Sequence, residues 1–255
     1  MEVKRLICAT LLALFPIAQS YSQPRSVTRP DRVTISPKQI RIVRTGKFAR
    51  DVPSRRIATI RYPFVAGLPD KTILRKVRSL LYFENIFDTT LQEYREWNAL
   101  DKFDYVVNYN GNYILDVTFT QSGQAAEPYF TSKSIPVFLK TGAVLKANDV
   151  FNIDRLAELA HAVDEKLQNE LTELIQSAKL HQDGASIVDA LSDMKFEVKN
   201  LDDFSVSKDG ITFLYDAGFP HAHWAFNPKG RYLFPYSTLQ SFIKPTGPLA
   251  PFLKR

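Results

Sequence analysis

The stretch from Tyr105 to Phe119, YVVNYNGNYILDVTF, limits what this chain can fold into more than any other. Apolar or aromatic residues alternate at Tyr105, Val107 and Tyr109, and again at Tyr113, Leu115, Val117 and Phe119. A period of two marks β-strands, whose successive side chains point to opposite faces. Asn110-Gly111 sits between the two runs and supplies the positive φ angles of a two-residue hairpin turn. The intervening positions of the second arm, Ile114, Asp116, Thr118 and Thr120, are mostly polar. The hairpin therefore predicts a sheet with one dry face and one wetter face.

A second hairpin is predicted where Phe204 and Val206 lead through Asp209-Gly210 to Ile211, Phe213 and Tyr215. Residues 34–43 read as an edge strand, because Pro37 excludes a central one. Residues 57–62 read as a strand ending at Pro63, and Ile135–Leu139 and Tyr232–Pro235 as further strands. Asp70 is placed to cap a helix whose Ile73, Leu74, Val77, Leu80 and Leu81 share one face. A short helical piece follows at Leu91 to Trp97. Asn152 is the expected cap of the longest helix, Ile153 to Ala178, with an apolar stripe from Leu156 to Ala178. Shorter helices are expected at Ile187–Met194 and Ser237–Ile243, and the proline-rich end is expected to be extended. Helices and antiparallel hairpins are segregated rather than alternating, which makes the fold class α+β.

The first residues read as an export signal. Lys4 and Arg5 precede an apolar run, Leu6 to Ile17, and small residues near Ser20 and Ser22 offer a cleavage site. The run is shorter than the ~20 residues of a membrane span. Cys8 lies early in that run, where a lipid-bearing cysteine is not expected. Cleavage after Ser22 leaves 233 residues without cysteine, so a packed core and not disulfides must supply stability. No later segment is apolar over a membrane's thickness, and the expected location is periplasmic or extracellular.

Charge is uneven along the chain. Residues 25–61 carry 11 Lys/Arg against Asp31 and Asp51, a net +9, whereas residues 149–209 carry 14 Asp/Glu against 6 Lys/Arg, a net −8. In an exported protein such a basic stretch suits anionic envelope polymers or lipid head groups rather than nucleic acid. Arg41, Arg44, Arg55, Arg56 and Arg61, with the hairpin aromatics Tyr105, Tyr109 and Tyr113, form the candidate ligand-binding set.

The segment GFPHAHWAFNP, residues 218–228, holds His221 and His223, two of the four histidines. His-x-His on a strand would aim both rings to one side, as some zinc and copper sites require. No third ligand stands at a linked spacing, and Gly218, Pro220 and Pro228 punctuate a loop. His221 and His223 are weak metal candidates, and Trp224 and Phe226 are expected to pin the loop to the core. No nucleophile signature, phosphate loop or dinucleotide fingerprint occurs, so no catalytic residue and no cofactor is assigned.

DYVVNYNGNYILDVTFTQSG followed by IPVFLKTGAVLKANDVF resembles the extracytoplasmic module shared by RsiV-type anti-sigma factors and PdaC-type peptidoglycan deacetylases. Thr141-Gly142, Leu145, Asp149 and Phe151 match its Thr-Gly turn and its Leu-x-x-x-Asp-x-Phe element. Phe204 to Tyr215, Gly230, Pro235-Tyr236 and Leu239 match its later hairpin, loop, strand and helix in order. The resemblance spans roughly residues 55–243. It implies two linked subdomains, non-catalytic and outside the cytoplasmic membrane; the module binds lysozyme in RsiV-like members and accompanies a catalytic domain in PdaC-like ones. The chain departs from the pattern at residues 122–128, where a Gly-Gly-Ala-His-like segment is expected, and it shows neither the deacetylase motifs nor an anti-sigma segment.

The expected organisation is a signal peptide at 1–22, a basic leader at 23–54, α+β subdomains at 55–143 and 144–243, and a proline-rich tail at 244–255. The expected function is binding of an envelope polymer or protein partner without catalysis. The alternative is a metal-assisted hydrolase using His221 and His223.

Overall fold

A computed structural model describes residues 31–96, 99–124, 127–218 and 221–254. The expected export segment, Trp97 and Pro220 lie outside the described residues. In chain order the elements are β1 (Thr34–Val43), α1 (Gly46–Asp51), β2 (Ile57–Ala66), α2 (Lys71–Leu80) and α3 (Leu91–Glu96). Then come β3 (Leu100–Gly111), β4 (Ile114–Gln124), β5 (Pro128–Phe138), β6 (Ala143–Val144) and α4 (Ala147–Val150). The remainder is α5 (Leu156–Ala178), α6 (Gly184–Ser192), β7 (Phe204–Val206), β8 (Gly210–Leu214), β9 (Arg231–Pro235) and α7 (Tyr236–Leu239). The α+β class holds, with a six-stranded sheet ordered β1 to β6 and a three-stranded sheet ordered β7 to β9.

β1 lies at a sheet edge, as Pro37 requires. β2, however, does not stop at Pro63; it runs on to Ala66, with Pro63 opposite Pro37. Neither proline has an N–H, so the pair fits where opposite residues exchange no hydrogen bonds and both ring nitrogens point away from the ladder. The parallel contact of β2 with β3 is confined to Thr59 and Ile60, and so it makes no demand on Pro63.

Both hairpins form where the sequence places them, but neither turns at its glycine. Gly111 is still paired with Ile114, and the turn residues are Asn112 and Tyr113, at φ +49° and +61°. A distant segment holds this turn open. The Asp31 carbonyl accepts from Tyr113 N at 2.8 Å, and its carboxylate accepts from Asn112 N at 3.1 Å. In the second hairpin Val206 pairs with Ile211, and Gly210 already belongs to β8. A Cβ at Gly210 would sit 2.2 Å from the Phe234 carbonyl oxygen, so that glycine serves a close backbone approach rather than a turn.

Two hydrophobic cores share β4. Leu115, Val117 and Phe119 face a core with Val77 and Leu81 from the α2 region and Phe83, Tyr94 and Phe103. Ile114 faces a second core with Leu159, Val163, Leu167 and Leu171 of α5 and Phe204 and Phe213 of the small sheet. The expected wetter face is thus not wet at its centre: Asp116 is fully buried and Thr118 nearly so. The reason is tertiary, because β7 packs over that part of β4.

Asp70 caps α2 as expected, accepting from Thr72 N at 2.7 Å and Ile73 N at 3.0 Å. Asn152 does not cap α5. A 3-10 turn, Ile153–Arg155, intervenes, and the Asn152 amide donates to the Ser241 carbonyl at 3.1 Å. The proline-rich end is not extended either. Leu249 and Phe252 are buried in the α5 core, and Phe252 stacks on Tyr236 at 4.3 Å between ring centres. Among the described residues no helix is long and apolar enough to cross a membrane.

Candidate functional site

β5 carries an edge that is paired over only part of its length. One side is paired with β4 without interruption from Pro128 to Phe138. Among the described residues the other side is paired only at its C-terminal end, where β6 pairs with Val137 and Phe138 and Leu145 N donates to the Pro136 carbonyl at 2.7 Å. After Lys146 the chain turns off into α4. Two crevices then follow β5 back toward its start. The first, about 490 Å³, lies between Lys133–Pro136, the α2 end at Ser79 and Leu80, and Lys146, Asp202 and Asp203. The second, about 270 Å³, lies between Phe130–Ser132, the end of β8, and the stretch Asn227–Arg231.

Named side chains give this groove its chemistry. Phe130 is 56 % exposed and gives the second crevice an apolar surface. Lys133 donates to the Ile86 carbonyl at 3.0 Å, and Lys146 lies 3.6 Å from Asp202. Lys229 and Arg231 are exposed on the wall of the second crevice. Gly230 holds that wall in place, with φ +63° and a position where a Cβ would be 2.1 Å from the Tyr215 carbonyl oxygen. Lys229 N donates to Glu170 of α5 at 2.7 Å, and the Tyr232 hydroxyl donates to the same carboxylate at 2.9 Å. Burial and that carboxylate push the Tyr232 hydroxyl pKa well up, so it remains a donor.

A buried polar cluster lies beneath the groove, between the two sheets. A bulge between Val107 and Tyr109 sends both Asn108 and Tyr109 to the Asp116 face of β4. The Asn108 amide nitrogen is 2.5 Å from Asp116 Oδ1 and 2.6 Å from Thr118 Oγ1. From β7, Ser205 Oγ donates to Asp116 Oδ1 and Val206 N to Oδ2, each at 2.9 Å. Thr118 in turn meets Ser134 of β5 at 2.7 Å. Burial raises the Asp116 pKa to about 6, although its hydrogen bonds and the charge of Arg231 act the other way.

The expected ligand-binding set does not form one surface. Arg44 is 3 % exposed, and its guanidinium donates to the carbonyls of Arg55 and Leu100. Burial lowers its pKa from the ordinary arginine value, against the pull of Asp101. Arg55 bonds Asp101 at 2.9 Å and the carbonyls of Ala99 and Gln124 at 2.8 and 2.9 Å. Both arginines tie the β1–β2 connection to β3 and β4, which is a structural task. Arg41 and Arg56 are exposed, and Arg61 pairs with Asp104 at 3.4 Å and lies over the Tyr105 ring.

The bulge separates Tyr105 from Tyr109, and the displaced hairpin turn takes Tyr113. Tyr105 is buried in the α2 core, and Tyr109 packs on Phe252 beside the α5 core. Tyr113 is a turn residue under Lys140 Nζ, 4.3 Å from its ring centre.

His221 and His223 lie in a 3-10 segment, His221–Phe226. The side chain of His221 lies outside the described residues. Among the described residues no three His, Cys, Asp or Glu side chains gather as metal ligands would. Phe226 is buried and meets the His181 ring at 5.4 Å, but Trp224 is 41 % exposed. Phe226 therefore holds the loop to the core at the end of α5, while Trp224 is the more exposed of the two aromatics.

β5 begins at Pro128, seven residues before the strand expected from Ile135, and Pro128 and Pro136 at even spacing are the sequence signal that one side of it goes unpaired.

No protein-family model matches the sequence, and no curated protein matches it. Solved structures do resemble it. A crystal structure of a DUF3298 family member from Bacteroides fragilis aligns with a TM-score of 0.55 at 15 % identity, over 88 % of this chain and 98 % of that one. A DUF3298 family protein from Pseudomonas aeruginosa aligns with a TM-score of 0.46 at 16 % identity, over 85 % and 96 %. The Bacteroides structure shows that the fold is shared over nearly the whole of both chains.

Proposed function

We propose that this chain is an exported, non-enzymatic protein that works by binding a partner in the cell envelope. The observation that carries this reading is the groove along β5. It is open, has an exposed aromatic floor at Phe130, and is flanked by Lys133, Lys146, Lys229 and Arg231. Ligand sites favour concave seams between structural units, and this groove runs between the two sheets. The export-type N-terminus and the resemblance to the RsiV and PdaC modules support the same compartment. In that resemblance the module is the part that binds or accompanies, not the part that catalyses.

The test is direct binding by the purified protein at low salt. Co-sedimentation with insoluble peptidoglycan and calorimetric titration with lysozyme are the two arms. Saturable binding in either arm that weakens when Lys229 and Arg231 are both changed to Glu supports the reading. No binding in either arm, with the protein folded, removes it.

A further inference from the structure

The register of β5 decides which of its backbone groups are free. The Pro136 carbonyl accepts from Leu145 N, so Pro136 faces away from β4. In an antiparallel ladder that orientation alternates strictly, and the β4–β5 register has no shift. Ser134, Ser132 and Phe130 therefore also turn their N–H and C=O groups outward. Among the described residues no hydrogen bond reaches these groups from the outer side. Phe130 and Ser132 are exposed, Ser134 is half-buried, and the two crevices keep solvent against all three.

A row of paired donors and acceptors, repeating about every 7 Å, matches one kind of occupant, another extended polypeptide backbone. Prolines close the row at both ends, since Pro128 and Pro136 lie in the same outward-facing set. The charge beside it has a sign. Lys229 and Arg231 line the crevice and form no ion pair among the described residues. Asp216, the carboxylate that shares the crevice, accepts from Gly218 N at 2.9 Å. Phe130 offers an apolar contact to whatever side chain lies across from it.

We propose that the β5 edge between Phe130 and Ser134 takes up an extended, acidic segment of a partner protein as an added β-strand. This rests on the binding reading above and names the chemistry of its partner.

The probe is a blocked seven-residue peptide alternating glutamate and valine, titrated into the purified protein at low salt. Saturable binding is expected, together with slowed amide exchange at Phe130 and Ser132. Ser132→Pro removes an outward N–H that β4 does not use, and should weaken binding about tenfold or more while the protein stays folded. Should that variant not fold, the peptide N-methylated on every amide, which has no free edge to pair, replaces it and is expected not to bind. Changing Lys229 and Arg231 to Glu should weaken binding about tenfold.

Equal binding of the N-methylated and parent peptides would overturn strand addition, as would unchanged exchange at Phe130 and Ser132. A concentration-dependent dimer in sedimentation that Ser132→Pro abolishes would give the edge to a second copy of this chain and overturn the partner segment. If the peptide fails while peptidoglycan or lysozyme binds, strand addition falls and the binding reading stands.

Discussion

The two faces of β4 are built on opposite principles. One presents Leu115, Val117 and Phe119 to the α2 core, where exclusion of water supplies the stabilisation. The other presents Ile114, Asp116 and Thr118 to β7, and at its centre a charged group is taken from water and held by Asn108, Ser205 and the Val206 amide. The apolar face is tolerant of detail, because burial is non-directional. The polar face is not, because each donor must meet its acceptor. The difference suggests that the first face secures stability while the second sets the position of the small sheet against the large one.

Phe119→Ala should break the apolar face and cost about 3–5 kcal/mol, read as a lower urea midpoint. The next largest effect is expected from pH. Asp116 titrates near 6 in the folded protein and near 3.8 when unfolded, so the folded state holds the proton more tightly between those values. Its contribution is therefore full below about pH 4 and is lost as pH rises through about 6. The change amounts to roughly 3 kcal/mol. Urea denaturation between pH 4.5 and 7 should show the fall, and Asp116→Asn should flatten it. A profile that rises across that window in the parent protein would show that the carboxylate is not desolvated.

Asp116→Ala strips the acceptor from three donors at once and should cost about 1–3 kcal/mol at neutral pH. Ser205→Ala removes one donor and should cost about 1 kcal/mol. Thr120→Val, on the same face but beyond the cover of β7, should change stability by less than about 0.5 kcal/mol. Equal losses at Thr120 and Ser205 would erase the distinction between the covered and uncovered parts of this face.

Much of the fold was legible in local pattern. Alternation located both hairpins, and the 3.6 spacing of Leu74, Val77 and Leu81 located α2 with its Asp70 cap. What failed did so where a distant segment intervened. Asn110 looked like a turn residue but pairs with the backbone of Val33 at 3.0 and 2.8 Å, moving the turn to Asn112-Tyr113. Trp224 and Phe226 looked alike as anchors, yet Phe226 is buried and Trp224 is 41 % exposed. Arg44 and Arg55 looked like a basic surface, yet carbonyls and Asp101 absorb them. Of the candidate site, only the prolines of β5 left a mark in the sequence, and a free edge can be recognised only when the order of the strands is known.

The sequence by itself determined the class of the protein, the two hairpins to within a few residues, and the apolar faces of α2, α5 and the strands. These follow from periodicity and from local backbone preference, which act over a few residues. Tertiary structure alone decided that Asp116 is buried, that the three tyrosines go to different places, and that β5 is left half unpaired. Each of those depends on which remote strand comes to lie alongside, and burial or pairing by a neighbour some 90 residues away, as between Asp116 and Val206, has no local signature.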